Sequence, residues 1–209
     1  MSFPSPQRQP LASADLDPDP IAQFQNWFDE AAGVMPLPEA MTLATVDGGG
    51  RPDARMVLLK GVGLDGFRFF TNYGGVKASQ LDATGLAALV FFWPPLDRQV
   101  RVRGRVQRLA PEASDEYFAT RDRESRIGAW ASPQSHPLPD GRESLEQLAE
   151  EVVSKFGDGD VPRPEHWGGY LISPIEIEFW QGRGARLHDR FLYEEETATG
   201  HWGITRLAP

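Results

Sequence analysis

The sequence predicts a mainly β, α+β fold: antiparallel strands in a barrel-like sheet, interrupted by a few helices. Three observations lead there. Several β-prone runs are joined by short glycine-rich connections, which is how hairpins are written. The segment 98–108 alternates cleanly, with Val100, Val102 and Val106 on one face and Gln99, Arg101, Arg103, Arg105 and Gln107 on the other. The helical segments fall between groups of strands instead of after every strand, which argues against a βαβ sheet.

Taken in order, residues 1–20 hold five prolines and no hydrophobic period. A mobile arm is therefore expected over 1–18, with one folded domain over 19–209. Ile21, Phe24, Trp27 and Phe28 recur at helical spacing and predict an amphipathic helix over 20–32. Strands are expected at 41–47, 54–62 and 67–72, separated by Gly48–Gly50 and by the turn from Gly63 to Gly66. A short helix follows at 76–83. LAALVFFW (86–93) reads as a buried strand, stopped by Pro94 and Pro95. Pro111 opens a helix reaching about Arg121, and a second helical stretch covers 124–131. Asp140 with Glu143 resembles a capping box for a helix over 141–156. Strands near 169–181, 186–195 and 201–207 close the chain.

Composition narrows the function. Thirty acidic against 21 basic residues give a net charge of −9, unfavourable for binding nucleic acid or an anionic membrane. With no cysteine, disulfides, thiolate metal sites and thiol nucleophiles are excluded. No apolar run approaches the roughly 20 residues of a membrane helix. The first 30 residues lack a basic start followed by an apolar core, so a cytoplasmic protein is expected. The four histidines, His136, His166, His188 and His201, show no paired ligand spacing, and no metal site is expected. Phosphate-loop, dinucleotide and nucleophile-elbow motifs are missing.

Three constellations carry chemistry. Arg55 and Lys60 bracket RMVLLK, but strict alternation puts them on opposite faces of a strand, so they meet one ligand only across a bend or a strand end. Ordinary solvated cations are the alternative. Tyr117, Arg121 and Ser125 are spaced by four and four; on a continuous helix they share one face and form a phosphate clamp, or else a wetted helix face. RLHDR (186–190), read as a strand, points Arg186, His188 and Arg190 to one side, where an anionic or electron-rich partner would relieve their repulsion; ion pairs to Glu194–Glu196 are the bland reading. Trp180 is either core or the wall of an aromatic ligand site.

RMVLLK, FFTNYGGVKASQL, DRQVRVRGRV, IGAWASPQS, VPRPEHWGGY, IEFWQGRGARLHDRF and the closing WGITRLAP, in this order, closely resemble the pyridoxamine 5′-phosphate oxidase family over residues 15–209. The resemblance implies a homodimeric FMN-binding split β-barrel, Greek-key-like, with peripheral helices and FMN at the subunit interface. It implies oxidation of pyridoxamine or pyridoxine 5′-phosphate to pyridoxal 5′-phosphate, with oxygen reduced to hydrogen peroxide. By motif, FMN would be held by Arg55, Met56, Val57, Leu58, Leu59 and Lys60, by Phe70 and Thr71, and by Lys77 and Gln99. Gln134 and Ser135 would come from the partner subunit, as would Trp180 and Arg190. Substrate would be held by Lys60, Tyr117, Arg121 and Ser125 at its phosphate, and by Arg186, Leu187 and His188 at its ring, with Arg186 and His188 the catalytic pair.

Two departures stand out. Val76 occupies a position where the family usually has Arg, and losing one charge-assisted contact costs on the order of 1–3 kcal/mol. Residues 1–14 offer Phe3, prolines and only Arg8 where many relatives carry arginines and a tyrosine. Two other readings remain open: a related split-barrel oxidase for another aromatic substrate, such as a phenazine precursor, or a non-catalytic flavin or pyridoxal-phosphate binder.

Overall fold

The computed structural model describes residues 9–196 and 201–209; the part of the expected arm before Gln9, with Phe3 and Arg8, lies outside the described residues. The elements are α1 (Pro20–Ala32), β1 (Ala40–Val46), β2 (Pro52–Leu58), β3 (Gly61–Gly63), β4 (Gly66–Asn72), α2 (Val76–Thr84), β5 (Leu86–Trp93), β6 (Arg98–Arg108), α3 (Pro111–Ala119), α4 (Arg123–Ala131), α5 (Arg142–Phe156), β7 (Trp167–Gln181), β8 (Asp189–Glu196) and β9 (His201–Arg206). Among the described residues the strands form one antiparallel sheet in the order β2-β1-β5-β6-β7-β4-β3, with β8 added to β7 and β9 to β8. The sheet curls into a split barrel with the helices outside it.

Period-two alternation builds the core. Met41 and Leu43 of β1, Leu89, Phe91 and Trp93 of β5, Val100 and Val102 of β6, and Ile177 and Phe179 of β7 point inward and are buried. Helix α1 plugs one opening. Pro20 starts it, Asp19 caps it by accepting from the Ile21 N–H at 2.8 Å, and Phe24 packs edge-on against Phe67 and Phe91, both at 4.9 Å. Burying such a ring contributes roughly 1.5–3 kcal/mol. The outer face is mixed. Pairing aligns Met56 with Thr42, Thr42 with Val90, Val90 with Arg101, Arg101 with Glu178, and Glu178 with Leu192. On this face Met56 is 62% and Phe92 53% exposed, a surface suited to being covered.

Four local expectations are corrected. The run 54–62 is not one strand with one partner. Leu59 N–H donates to Glu39 and Lys60 N–H to Arg68, so the chain leaves β1 for β4 and turns the corner of the barrel there. The stretch 186–195 becomes strand only at Asp189, because Ala185 and Arg186 sit at φ 56° and 62° in a 3-10 turn (Gly184–Arg186), which breaks the alternation. Asp140 does not cap α5; Gly141, at φ 61°, is its N-cap. From Leu11 onward the expected arm is docked. Leu11 and Leu16 are buried, the Leu11 N–H donates to Asp189 at 3.0 Å, and the Tyr193 hydroxyl donates to the Asp17 carbonyl at 2.8 Å. Isolated anchoring leucines have no period to betray them.

The β3–β4 turn depends on Gly66, whose φ is 126° and whose Cβ, if it had one, would overlap the Ile172 carbonyl. Gly66→Ala is expected to destabilise the protein by about 3 kcal/mol, from left-handed strain plus overpacking. Urea denaturation checks this; an unchanged midpoint would contradict the turn geometry.

Candidate active site

The barrel corner, the end of β4, the start of α2 and the α3–α4 junction enclose a cavity of about 590 Å³. Its walls carry Met56, Val57 and Leu58 from β2, Lys60 from the corner, Phe70, Thr71 and Asn72 from β4, and Lys77 from α2. Tyr117, Arg121 and Ser125 enter from the other side, with Gln134 and Trp167 completing it. Tyr117, Arg121 and Ser125 thus converge, but not on one helix. Helix α3 ends at Ala119, and Asp122 caps α4 by accepting from the Ser125 N–H at 2.7 Å and its hydroxyl at 2.8 Å. The junction folds the three side chains toward one space.

The aromatic wall is a near-parallel stack. Phe70 lies 4.0 Å from Tyr117 and 5.4 Å from Trp167, centroid to centroid. Lys60, Lys77 and Arg121 make the cavity cationic, while the acid Asp122 is committed to Ser125, which holds its carboxyl below the usual range. Arg121 lies over the Trp167 ring at 4.8 Å, and its Nη1 is buried with no hydrogen-bond acceptor. Burial pushes its pKa down, against the pull of Tyr117 and Asp122. Lys77 is likewise lowered, first by burial and then by Arg55. A buried donor without an acceptor beside half-buried cations is a site built for an anion.

Gln134, expected from a partner subunit, lines this cavity within its own protomer, and Ser135 lies beside it at the start of α2. Lys77 Nζ donates to Gln134 Oε1 at 2.6 Å, Gln134 Oε1 lies 3.2 Å from the Thr71 hydroxyl, and the Val76 N–H reaches Ser135 Oγ at 3.3 Å. Gly75, the α2 N-cap, has no side-chain cap, and a Cβ there would come within 2.7 Å of Gln134. Leu59 is buried in the core. Arg55 does not line the cavity; its guanidinium donates to the Leu43 carbonyl, Thr45, Asp53 and Gln80.

The remaining expected residues lie elsewhere. Gln99 pairs with Trp180 and Trp180 with Arg190 in one row across β6, β7 and β8 on the outer face. The His188 ring packs on Trp180 at 4.6 Å, and the Arg183 N–H donates to His188 Nδ1 at 3.1 Å, leaving Nε2 to carry the proton of the neutral ring. Arg190 bonds Glu178 at 2.8 Å and the Ala208 carbonyl at 2.9 Å. Arg186 and the exposed Leu187 complete this group, none of which lines the cavity. Sequence reasoning missed Trp167, Asn72, Thr120 and Asp122. Only Asp122 left a signal, the Asp-x-x-Ser spacing of an N-cap.

A split barrel whose cationic cavity has a flat aromatic wall, with glycine at the N-cap of α2, defines a split-barrel protein with a site for a planar anion. The comparisons narrow the class. The Pyridoxamine 5′-phosphate oxidase family matches residues 28–156, and the Pyridoxine 5′-phosphate oxidase C-terminal dimerisation region matches residues 167–209. A pyridoxine/pyridoxamine 5′-phosphate oxidase of Cupriavidus taiwanensis is 54% identical, covering 95% of this chain and 93% of the relative. One from Salinibacter ruber is 51% identical, covering 97% of each. Among solved structures, PhzG from Burkholderia lata 383, in complex with tetrahydrophenazine-1-carboxylic acid, superposes with a TM-score of 0.87 at 28% identity, covering 100% of this chain and 98% of that one. The chain belongs to the pyridoxamine 5′-phosphate oxidase family and is an oxidoreductase. No helix among the described residues is long and apolar enough to cross a membrane.

Proposed function

We propose that this protein oxidises pyridoxamine 5′-phosphate and pyridoxine 5′-phosphate to pyridoxal 5′-phosphate, using FMN and reducing oxygen to hydrogen peroxide. The observation that carries the reading is the buried, acceptor-less Nη1 of Arg121 in a cavity it shares with Tyr117, Ser125 and Lys60. Arg121, Tyr117 and Lys60 offer a phosphate a bidentate cation, a hydroxyl and an ammonium, and Ser125, whose hydroxyl donates to Asp122, stands beside them. Anchoring there supplies binding energy remote from the bond that breaks.

The residues that would hold FMN are Lys77, Gln134, Ser135 and the glycine-capped α2 start around its phosphate, with Arg55 nearby, and the β2 segment Met56–Leu58 with Phe70 and Thr71 along its ring. FMN would accept two electrons from the substrate's C4′ carbon and pass them on to oxygen. With the alcohol substrate the aldehyde forms directly; with the amine, water then replaces nitrogen, which leaves as ammonia. The protein acts as a homodimer with FMN at the interface on this reading. Gln99, Trp180, Arg186, Leu187, His188 and Arg190 of one protomer then complete the cavity of the other. Arg186 would orient C4′ and stabilise developing charge, with His188 fixed against Trp180 beside it.

The likeness to PhzG over the whole chain supports a second reading, oxidation of a carboxylated polycyclic aromatic. Against it, such a substrate has no phosphate to occupy the clamp. Anaerobic mixing of FMN-loaded protein with pyridoxine 5′-phosphate decides between them. Bleaching of the flavin, reversed by air, is expected; a flavin left oxidised by both phosphorylated substrates, yet bleached by a dihydrophenazine carboxylate, would overturn the first reading.

A further inference from the structure

The guanidinium expected on the FMN phosphate is already occupied. Arg55 Nη1 donates to the Leu43 carbonyl at 3.2 Å and Thr45 Oγ1 at 2.5 Å; its Nη2 donates to Asp53 Oδ2 at 2.6 Å and Gln80 Oε1 at 3.0 Å. Arginine has five N–H donors, so one, on Nε, is left outside these contacts. Gln80 closes the ring by donating to Asp53 at 3.3 Å and accepting from Thr45 at 2.6 Å. The cluster turns Arg55 toward β1 and α2, beside the cavity instead of into it. At the start of α2 this chain has Val76, which is exposed and uncharged.

We propose that Asp53 tempers the affinity of the protein for FMN by holding Arg55 and opposing the FMN phosphate with its own charge. The inference rests on the flavin reading above. Its electrostatics are simple. With Val76 at the helix start, the positive side chains nearest the α2 end of the cavity are Lys77 and Arg55, and Asp53 cancels one of them at 2.6 Å. An arriving phosphate dianion competes with Asp53 for Arg55 and is repelled by the carboxylate. Hydrogen bonding from Gln80, and then the Arg55 charge, keep the Asp53 carboxyl below its usual range, so it is ionised whenever the protein is folded near neutral pH. Asp53 is half exposed, which screens the effect without abolishing it. Lys77 already carries the strain of two cations in a half-buried place, since Arg55 helps to lower its pKa.

The test is FMN titration of the flavin-free full-length chain, followed by quenching of FMN fluorescence, for the wild type and for Asp53→Asn and Asp53→Ser. Both variants are expected to bind FMN about three- to tenfold more tightly at low ionic strength, the reach of one partly screened charge, with the gain shrinking at 0.5 M salt, roughly where screening acts over a few ångströms. Arg55→Ala should weaken FMN binding in either background. Thermal unfolding of the flavin-free variants verifies that they fold. Binding that both Asp53 variants leave unchanged or weaken, or a gain untouched by salt, overturns the inference and leaves the flavin reading intact. A wild-type chain that fails to bind FMN removes the flavin reading itself.

Discussion

Arg121→Ala is expected to raise KM for pyridoxamine 5′-phosphate by about 10- to 100-fold, the value of hydrogen bonds to a charged group, with a much smaller fall in kcat. The split follows from where Arg121 stands. It faces the phosphate end of the proposed substrate, so its contacts are as strong before the reaction as during it. The same substitution should leave the flavin-free protein as stable as before. Arg121 has a buried Nη1 without an acceptor and stacks on Trp167, so removing a desolvated cation offsets the lost ring contact. Steady-state kinetics and thermal unfolding together check the claim. A lowered Tm with an unchanged KM would make Arg121 a structural residue and remove it from the clamp.

The second large effect concerns the division of the site. Arg186→Leu should abolish most turnover while the protein stays yellow, since Arg186 is not part of the cavity wall. If each active site takes its cavity from one protomer and its Arg186 from the other, two variants that are each nearly inactive at low substrate can rescue each other. A hybrid dimer of Arg121→Ala and Arg186→Leu chains has one site with both defects and one with neither. Equal co-expression makes half the dimers hybrid, so about a quarter of the wild-type activity returns. Separately purified and assayed at substrate well below the wild-type KM, each variant gives almost none. Absence of rescue in verified hybrids would assign both residues to one protomer's site.

How legible this was in the sequence depends on which force left a mark. The 98–108 alternation and the 20–32 helix were readable because burial on one face imposes a period, and the structure keeps both. The exchange of partners at Leu59 and Lys60 was not, because it is made by backbone groups that every residue carries. Nor was the left-handed turn at Ala185 and Arg186, for neither residue type advertises it. Tyr117, Arg121 and Ser125 were brought together correctly for the wrong reason. Their spacing pointed to one helix, whereas an Asp122 cap breaks that helix and folds the junction inward. Trp167 forms the cavity's aromatic wall only because β7 pairs there with β4, a contact nearly a hundred residues away in the chain and invisible to any local pattern. Assigning roles to Gln99, Trp180 and Arg190 needed the family resemblance; their common row across three strands needed the structure.

Trp167 and Trp180 stand near opposite ends of the same strand, β7, and a strand advances about 3.3 Å per residue, so some 40 Å of backbone separates the cavity wall from the indole expected over the flavin. On the composite reading, that length does what a hinged lid does in other enzymes. It decides when the site exists. A lid opens and closes by motion within one molecule, at a rate its loops allow. On that reading the missing half would arrive already rigid, carried on the neighbouring copy, so the site would be complete only where two copies meet.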